Sequence, residues 1–245
     1  MSTVVIIPAR YSSSRLPGKP LAPIAGRPLI LHVIERVAGA KVDDIIVATD
    51  HQEIRAVVAA AGGCRVVMTR PDHPCGTDRI AEVAAAVNAE HILNVQGDQL
   101  IAGPEVINGI LAGVGQTTPP VSTLYTDATA EDLPNPNVVK VVVNRLGHIV
   151  YMSRLPIPYH RGPYPGEVRY RRQVGIYLFE RRTLLEFADL APTALEAVEG
   201  VELLRALDYG IPLGGISTDS PMADVDIPSD LALAERFVRE YPVVR

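Results

Sequence analysis

The chain has 245 residues, 47% hydrophobic and 21% charged, with a formal net charge of −5. That is an ordinary globular composition, and a chain of this length buries a full core without staples. The acidic balance argues against generic nucleic-acid binding, which shows as a basic excess; an anionic ligand must be met by local cations.

Cys64 and Cys75 match no zinc spacing and no disulfide framework, which predicts a reducing, cytoplasmic setting. The opening MSTVVIIPAR lacks a positive region and has only four consecutive strongly apolar residues. That is too few for a signal peptide or a membrane span.

Thr3–Ile7 reads as a buried strand. Arg27–Ala38 reads as a helix with Leu29, Ile30, Val33 and Val37 on one face. Asp44–Thr49 is a second strand, Asp50 a cap for a helix over Glu53–Ala61, and Gly62-Gly63 its stop. Arg65–Thr69, Thr77–Asn88 and His91–Val95 continue the alternation as strand, helix and strand. Such repetition predicts a mostly parallel sheet with helices on both faces, doubly wound by right-handed crossovers.

The second half changes character. Val121–Tyr125, Val138–Asn144 and His148–Ser153 read as strands, the last two turning antiparallel at Gly147. A connector rich in Pro, Arg and Tyr runs from Ile157 to Tyr170. Gln173–Phe179 is a further strand, followed by helices over Arg182–Leu190, Leu195–Tyr209 and Ser229–Glu240. No repeat or linker divides the chain, so the expected fold is one α/β core with an inserted antiparallel portion.

Three stretches carry chemistry. PARYSSSRLPGKP, residues 8–20, puts Arg10, Arg15 and Lys19 in a serine-rich loop straight after the first strand. Ligands of doubly wound sheets bind beyond the carboxyl ends of the strands, and cations, hydroxyls and backbone N–H groups suit a polyphosphate. The loop is not a Walker A motif, since position 13 is Ser and Pro20 follows Lys19. NVQGDQL, residues 94–100, places Asp98 just past the fourth strand, where one carboxylate with phosphate oxygens and water would hold magnesium. In ADVDIPSD, residues 223–230, Asp224 and Asp226 alternate with apolar residues and would share a face if extended. Either could be a ligand, and Ser229 competes as a helix cap.

These stretches occur in order with IIVATD, MTRPDHPCGTDRIAE, NPNVVKVV, YMSRLPIPY and VGIYLF. Together they resemble the 3-deoxy-manno-octulosonate (Kdo) cytidylyltransferases, also called CMP-Kdo synthetases, over nearly the whole chain. The resemblance implies a fold like other sugar nucleotidyltransferases, a homodimer, and CMP transfer from CTP to an acidic sugar with magnesium. It implies that Arg15, Lys19, Asp98 and Asp226 are catalytic, with Asp98 and Asp226 the metal ligands. Ala9, Arg10, Arg70, Asp72, Cys75, Gly76, Thr77, Arg79 and Gln96 would join Arg15 and Lys19 around the nucleotide. Ser153, Arg154, Gln173, Tyr177, Gln99, Glu202 and Leu203 would surround the acceptor, with His73, Asn137 and Lys140 near the site. The nucleotide part would cover about 1–120, the acceptor and dimerisation part about 121–220, and the closing metal motif and helix 221–245.

The chain departs from that family's pattern at Gln99, where the family has Glu, at Gln173, where it has His, and at Leu203, where it has Gln. Cys75 stands where it has Ser. Losing polar partners in a pocket built for hydroxyls discriminates strongly, at about 1–3 kcal/mol per unpaired group. The favoured acceptor is therefore a smaller anion such as phosphonoformate, held by Arg154, Arg172, Arg169 and Arg171. The alternatives are an authentic Kdo enzyme, and a nucleotide-binding protein without catalysis.

Overall fold

The first strand, β1 (Thr3–Ala9), is buried at every position, so it lies between two apolar layers. The computed structural model describes residues 2–13, 15–114, 118–162 and 168–243. After β1 come a 3₁₀ turn (Lys19–Leu21), β2 (Pro23–Ile24), β3 (Arg27–Pro28) and α1 (Leu29–Val37). Next are β4 (Asp44–Thr49), α2 (Gln52–Ala61), β5 (Arg65–Met68), α3 (Gly76–Ala85) and β6 (His91–Val95). β7 (Gln99–Ile101), α4 (Pro104–Ala112), β8 (Val121–Asp127), β9 (Lys140–Val143), β10 (Ile149–Ser153) and β11 (Arg171–Glu180) follow. The chain continues through α5 (Arg181–Asp189), α6 (Ala194–Glu199), α7 (Leu204–Asp208), β12 (Leu213–Ser217), β13 (Met222–Asp224) and α8 (Asp230–Glu240).

One sheet runs in the order β10-β9-β11-β6-β1-β4-β5, with β8 on β11 and β12 on β8. β6, β1, β4 and β5 are parallel. β11 is antiparallel to β6, β8 and β9, and β9 to β10. Alternation along β1 sorts the core. Val5, Ile7 and Ala9 join a cluster with residues of α1, α2, α4 and α8. Val4 and Ile6 join another with residues of α3, α5 and α7. The doubly wound α/β core with an antiparallel portion is thus present as expected. Among the described residues no helix is long and apolar enough to cross a membrane.

Some elements differ from the sequence expectation. The first helix begins at Leu29, because Arg27 and Pro28 pair with Ile24 and Pro23 in a small hairpin. The helix expected over Leu195–Tyr209 is two helices, broken at Gly200 in the left-handed region (φ 59°) and started by a Thr193–Glu196 capping box. Asp50 does not cap α2; His51 holds the cap position, and the Asp50 carboxylate instead pairs with Arg79. β7, α4, β12 and β13 had no reading in sequence. β12 is Leu-Gly-Gly-Ile-Ser, a poor strand by propensity, yet a Cβ at Gly214 would come within 2.6 Å of Ser122 Oγ on β8.

Arg205 ties the later helices to the sheet. It is 1% exposed and bonds Asp78 on α3 (2.9 Å) and Glu196 on α6 (2.7 Å). Its guanidinium also lies 4.5 Å from the Phe187 ring centroid. Removing one member of a buried charged network leaves the others uncompensated. Arg205→Ala is therefore expected to lower stability by about 3–5 kcal/mol, read as a lower urea midpoint. A wild-type midpoint would refute this assignment.

Candidate active site

The carboxyl ends of β1 and β6 open into a cavity of about 520 Å³. Its walls come from the loop after β1, the turn after β6, the start of α3, the α6–α7 segment and Asp226. Gly97 makes the first two close neighbours: a Cβ there would stand 2.7 Å from the Pro8 carbonyl oxygen. The turn that presents Asp98 can therefore lie directly on the end of β1.

Four charged groups face one another in this cavity. The Lys19 ammonium bonds Asp98 and lies 3.2 Å from Asp226 Oδ1. Arg15 Nη2 donates to the same Asp226 oxygen at 3.1 Å, and its Nη1 donates to Asn137 Oδ1 at 2.8 Å. Burial alone would lower the Lys19 pKa, but the two carboxylates outweigh it and the pKa is raised. Lys19 is thus a fixed cation in the neutral range.

The second acidic stretch is resolved by its partners. Asp224 lies on β13 and pairs with Arg172. Asp226 lies beyond the strand, its N–H donating to Asp230 Oδ2 at 2.8 Å, and its carboxylate faces Lys19 and Arg15. Ser229 makes no side-chain cap. β13 pairs antiparallel with β7, and the Val225 N–H donates to the Asp98 carbonyl at 3.1 Å. Two distant stretches are so brought to one point.

Among the described residues no group of three or more His, Cys, Asp or Glu side chains gathers to hold a metal. Asp98 and Asp226, however, already share one cation, Lys19. Two carboxylates completed by phosphate oxygens and water are the donor set magnesium takes in nucleotide sites. The residues therefore fit such an ion.

Ala9, Arg10, Cys75, Gly76, Arg79 and Gln96 line the cavity, and His73 lies beside them. Arg79 is nonetheless committed, with Nη2 on Asp50 (2.8 Å) and Nη1 on the Arg70 carbonyl (3.2 Å). Arg70 and Asp72 do not line it. They stand 68% and 71% exposed on the turn after β5, paired at 3.7 Å, because that turn projects outward. Cys75 Sγ donates to Asp78 Oδ2 at 3.1 Å. Burial, with Glu202 and Asp78 adding to it, pushes the thiol far above the usual range, so it is no nucleophile. Thr77 is buried and its N–H serves Glu202.

The acceptor expectations divide. Arg154, Gln173, Tyr177 and Glu202 line the cavity. Burial holds the Tyr177 phenol well above its ordinary pKa. Gln99, Ser153 and Leu203 do not line it. Gln99 is a buried bridge whose Oε1 accepts from the Gly175 N–H at 3.0 Å. Ser153 Oγ donates to Glu199 at 2.6 Å, and Leu203 lies in the apolar core. Lys140 is also buried in the sheet, donating to the Asn135 and Val138 carbonyls. The arginines meant for a small anion are occupied too. Arg154 donates to the carbonyls of Pro136, Glu199 and Gly200. Arg172 pairs with Asp132 and Asp224, and Arg171 lies over the Tyr125 ring. The argument for phosphonoformate required altered pocket groups at three positions, and only Gln173 is in the pocket.

Sequence reasoning missed Glu196, Gly200 and Val201, which complete the α6–α7 wall. The Thr193-x-x-Glu196 capping signature was the available signal.

Glu202 accepts from the Thr77 N–H (3.1 Å) and Gln96 Nε2 (3.2 Å), and burial raises its pKa above the ordinary 4.5. The folded protein thus keeps this proton over a range where the unfolded chain has lost it. Its contribution to stability is complete below the ordinary value and falls as pH rises through the folded pKa. Glu202→Gln cannot titrate. Urea midpoints of the two proteins should diverge in favour of the variant as pH rises from about 4.5 and then run parallel; a constant gap would contradict the assignment.

A family model described as cytidylyltransferase matches residues 4–217. The 3-deoxy-manno-octulosonate cytidylyltransferase of Geobacter sulfurreducens is 43% identical over 244 residues, 94% of this chain and 97% of that one. The protein of the same name from Vibrio parahaemolyticus is 40% identical, covering 97% and 98%. The structure of CMP:2-keto-3-deoxy-manno-octonic acid synthetase complexed with CTP superimposes with a TM-score of 0.89 at 38% identity, covering 98% of this chain and 99% of that one. The inositol-1-phosphate CTP transferase from T. maritima shares the fold, with a TM-score of 0.69 at 13% identity. The chain belongs to the 3-deoxy-manno-octulosonate cytidylyltransferase family and is a CTP-using nucleotidyltransferase.

Proposed function

We propose that the chain works in the cytoplasm, transfers CMP from CTP to Kdo and releases pyrophosphate, with Mg2+ at Asp98 and Asp226. The observation that carries this reading is the opposition of Lys19 and Arg15 to Asp98 and Asp226 inside one cavity. The names of the relatives supply the acceptor.

An acceptor hydroxyl oxygen attacks the α-phosphorus in line, and the bond to pyrophosphate breaks. Such transfers depend on positioning and charge stabilisation. Lys19 and Arg15 face the charge that builds on the leaving pyrophosphate. Ala9 and Arg10 lie at the end of β1, against the nucleoside. Arg154, Gln173, Tyr177 and Glu202 bound the acceptor side; the Tyr177 phenol stays protonated and donates. A bound magnesium ion would neutralise phosphate charge and lower the acceptor hydroxyl's pKa.

A homodimer fits the exposed apolar residues around β10, the last strand of the sheet: Leu146 (79% exposed), Val150 (56%), Leu155 (71%) and Tyr159 (85%). Exposed apolar residues beside a strand edge suit an association surface.

Pyrophosphate release with CTP and magnesium, measured against Kdo and phosphonoformate in parallel, tests the acceptor. Turnover with Kdo is expected; turnover with phosphonoformate alone would overturn it. Lys19→Ala and Asp98→Asn should each lower kcat by about 10²–10³ with the fold retained. Near-normal turnover in both would remove these groups from the mechanism.

A further inference from the structure

The cations that act on the triphosphate ride on a loop with little regular structure between β1 and the 3₁₀ turn. Catalytic groups have to be held within about 0.5 Å of their working positions, so something must fix this loop. The described residues show three contacts meeting at Tyr11. Its carbonyl accepts from the Gly18 N–H at 3.1 Å, which closes the loop on itself. Its own N–H donates to Asp50 Oδ1 at 3.3 Å, at the end of β4. Its ring stacks on His51, with centroids 3.9 Å apart and planes 17° apart.

Gly18 packs closely on Tyr11. A Cβ built there would meet the Tyr11 ring at 3.5 Å, and Gly18 has φ +67°. Lys19 is the next residue. The placement of the Lys19 backbone is therefore referred through Gly18 and Tyr11 to the end of β4, a rigid strand of the parallel sheet. Asp50 adds a second link, since its other oxygen holds Arg79 in the cavity wall.

We propose that Tyr11 and His51 are positioning residues for CMP transfer: their stacked rings clamp the loop and set Lys19 and Arg15 against the leaving pyrophosphate. The inference rests on the proposed roles of Lys19 and Arg15. Neither ring needs to touch the reacting atoms. Loss of the stack lets the loop sample wrong arrangements, which lowers the fraction of enzyme poised for reaction. The effect falls on kcat more than on thermal stability, because Tyr11 and His51 sit at the surface end of the sheet and outside both core clusters.

Two readouts test the clamp. The first is steady-state kinetics with CTP for His51→Ala and Tyr11→Leu, with His51→Phe and Tyr11→Phe as variants that keep an aromatic pair. The second is limited trypsin cleavage of the native protein after Arg10 and Arg15, which reports opening of the loop without any turnover. His51→Ala and Tyr11→Leu should lower kcat about 3- to 10-fold, the scale of one aromatic contact. Both should speed loop cleavage, and the phenylalanine variants should recover most of both properties. Wild-type kcat and wild-type cleavage in His51→Ala and Tyr11→Leu would overturn the clamp. So would phenylalanine variants as impaired as the truncations. Lys19→Ala run alongside separates the two claims. If it is inactive while the clamp variants behave as wild type, only the clamp fails. If Lys19→Ala turns over normally, the reading of the loop itself fails.

Discussion

Two cations and two carboxylates from three distant stretches of the chain meet within one cavity, and the strand pairings around them hold that meeting. Lys19 and Arg15 arrive from the loop after β1, Asp98 from the turn after β6, and Asp226 from beyond β13. Strands β1 and β6 are parallel neighbours, which fixes the first two together. The β7–β13 pairing fixes the third. Arg36 braces that pairing from beneath. It is 2% exposed and donates to the carbonyls of Ile101 (2.9 Å) and Ala102 (3.0 Å), where β7 ends, and of Tyr241 (2.8 Å), at the end of α8. A guanidinium can satisfy several carbonyls from one planar fork. The segments bearing Asp98 and Asp226 are thus tied at both ends.

The parts of this design visible in sequence are those with short-range causes. The β-branched run of β1 and the strand–helix alternation follow from burial and periodicity. Arg15, Lys19 and Asp98 follow from strand ends in a doubly wound sheet. Asp226 could not be told from Asp224, because both suit an extended segment equally. What separates them is Arg172 on one side and Lys19 on the other, and both are distant in sequence. Arg79 is a nucleotide candidate through the family resemblance alone, and a distant partner again decides its setting. Its charge is spent on Asp50, a residue whose local context argued for a helix cap.

Gln99 and Leu203 show a different limit. Their departures from the family pattern were read as changes in the acceptor pocket, which treats each position as facing the ligand. Gln99 instead spans from the Gly175 N–H toward the Ala223 carbonyl, and Leu203 fills the apolar core beneath the α6–α7 wall. An altered residue that satisfies its own hydrogen bonds or packs in the core leaves no unpaired group facing the acceptor. The discrimination penalty argued from sequence does not arise at those two positions.

The charge arrangement also bears on the magnesium ion proposed at this site. Arg79 is neutralised by Asp50 and Glu196 by Arg205, while Arg154 is spread over three carbonyls. Lys19 and Arg15 are different: their partners are Asp98 and Asp226, the groups across the same cavity. A triphosphate that engages these two cations withdraws them from the carboxylates. The carboxylates would then face both one another and the incoming phosphates, and the magnesium ion proposed at Asp98 and Asp226 would supply the positive partner they lose. The same four side chains neutralise one another in the free cavity, and on the proposed function they would couple the binding of nucleotide to that of a cation.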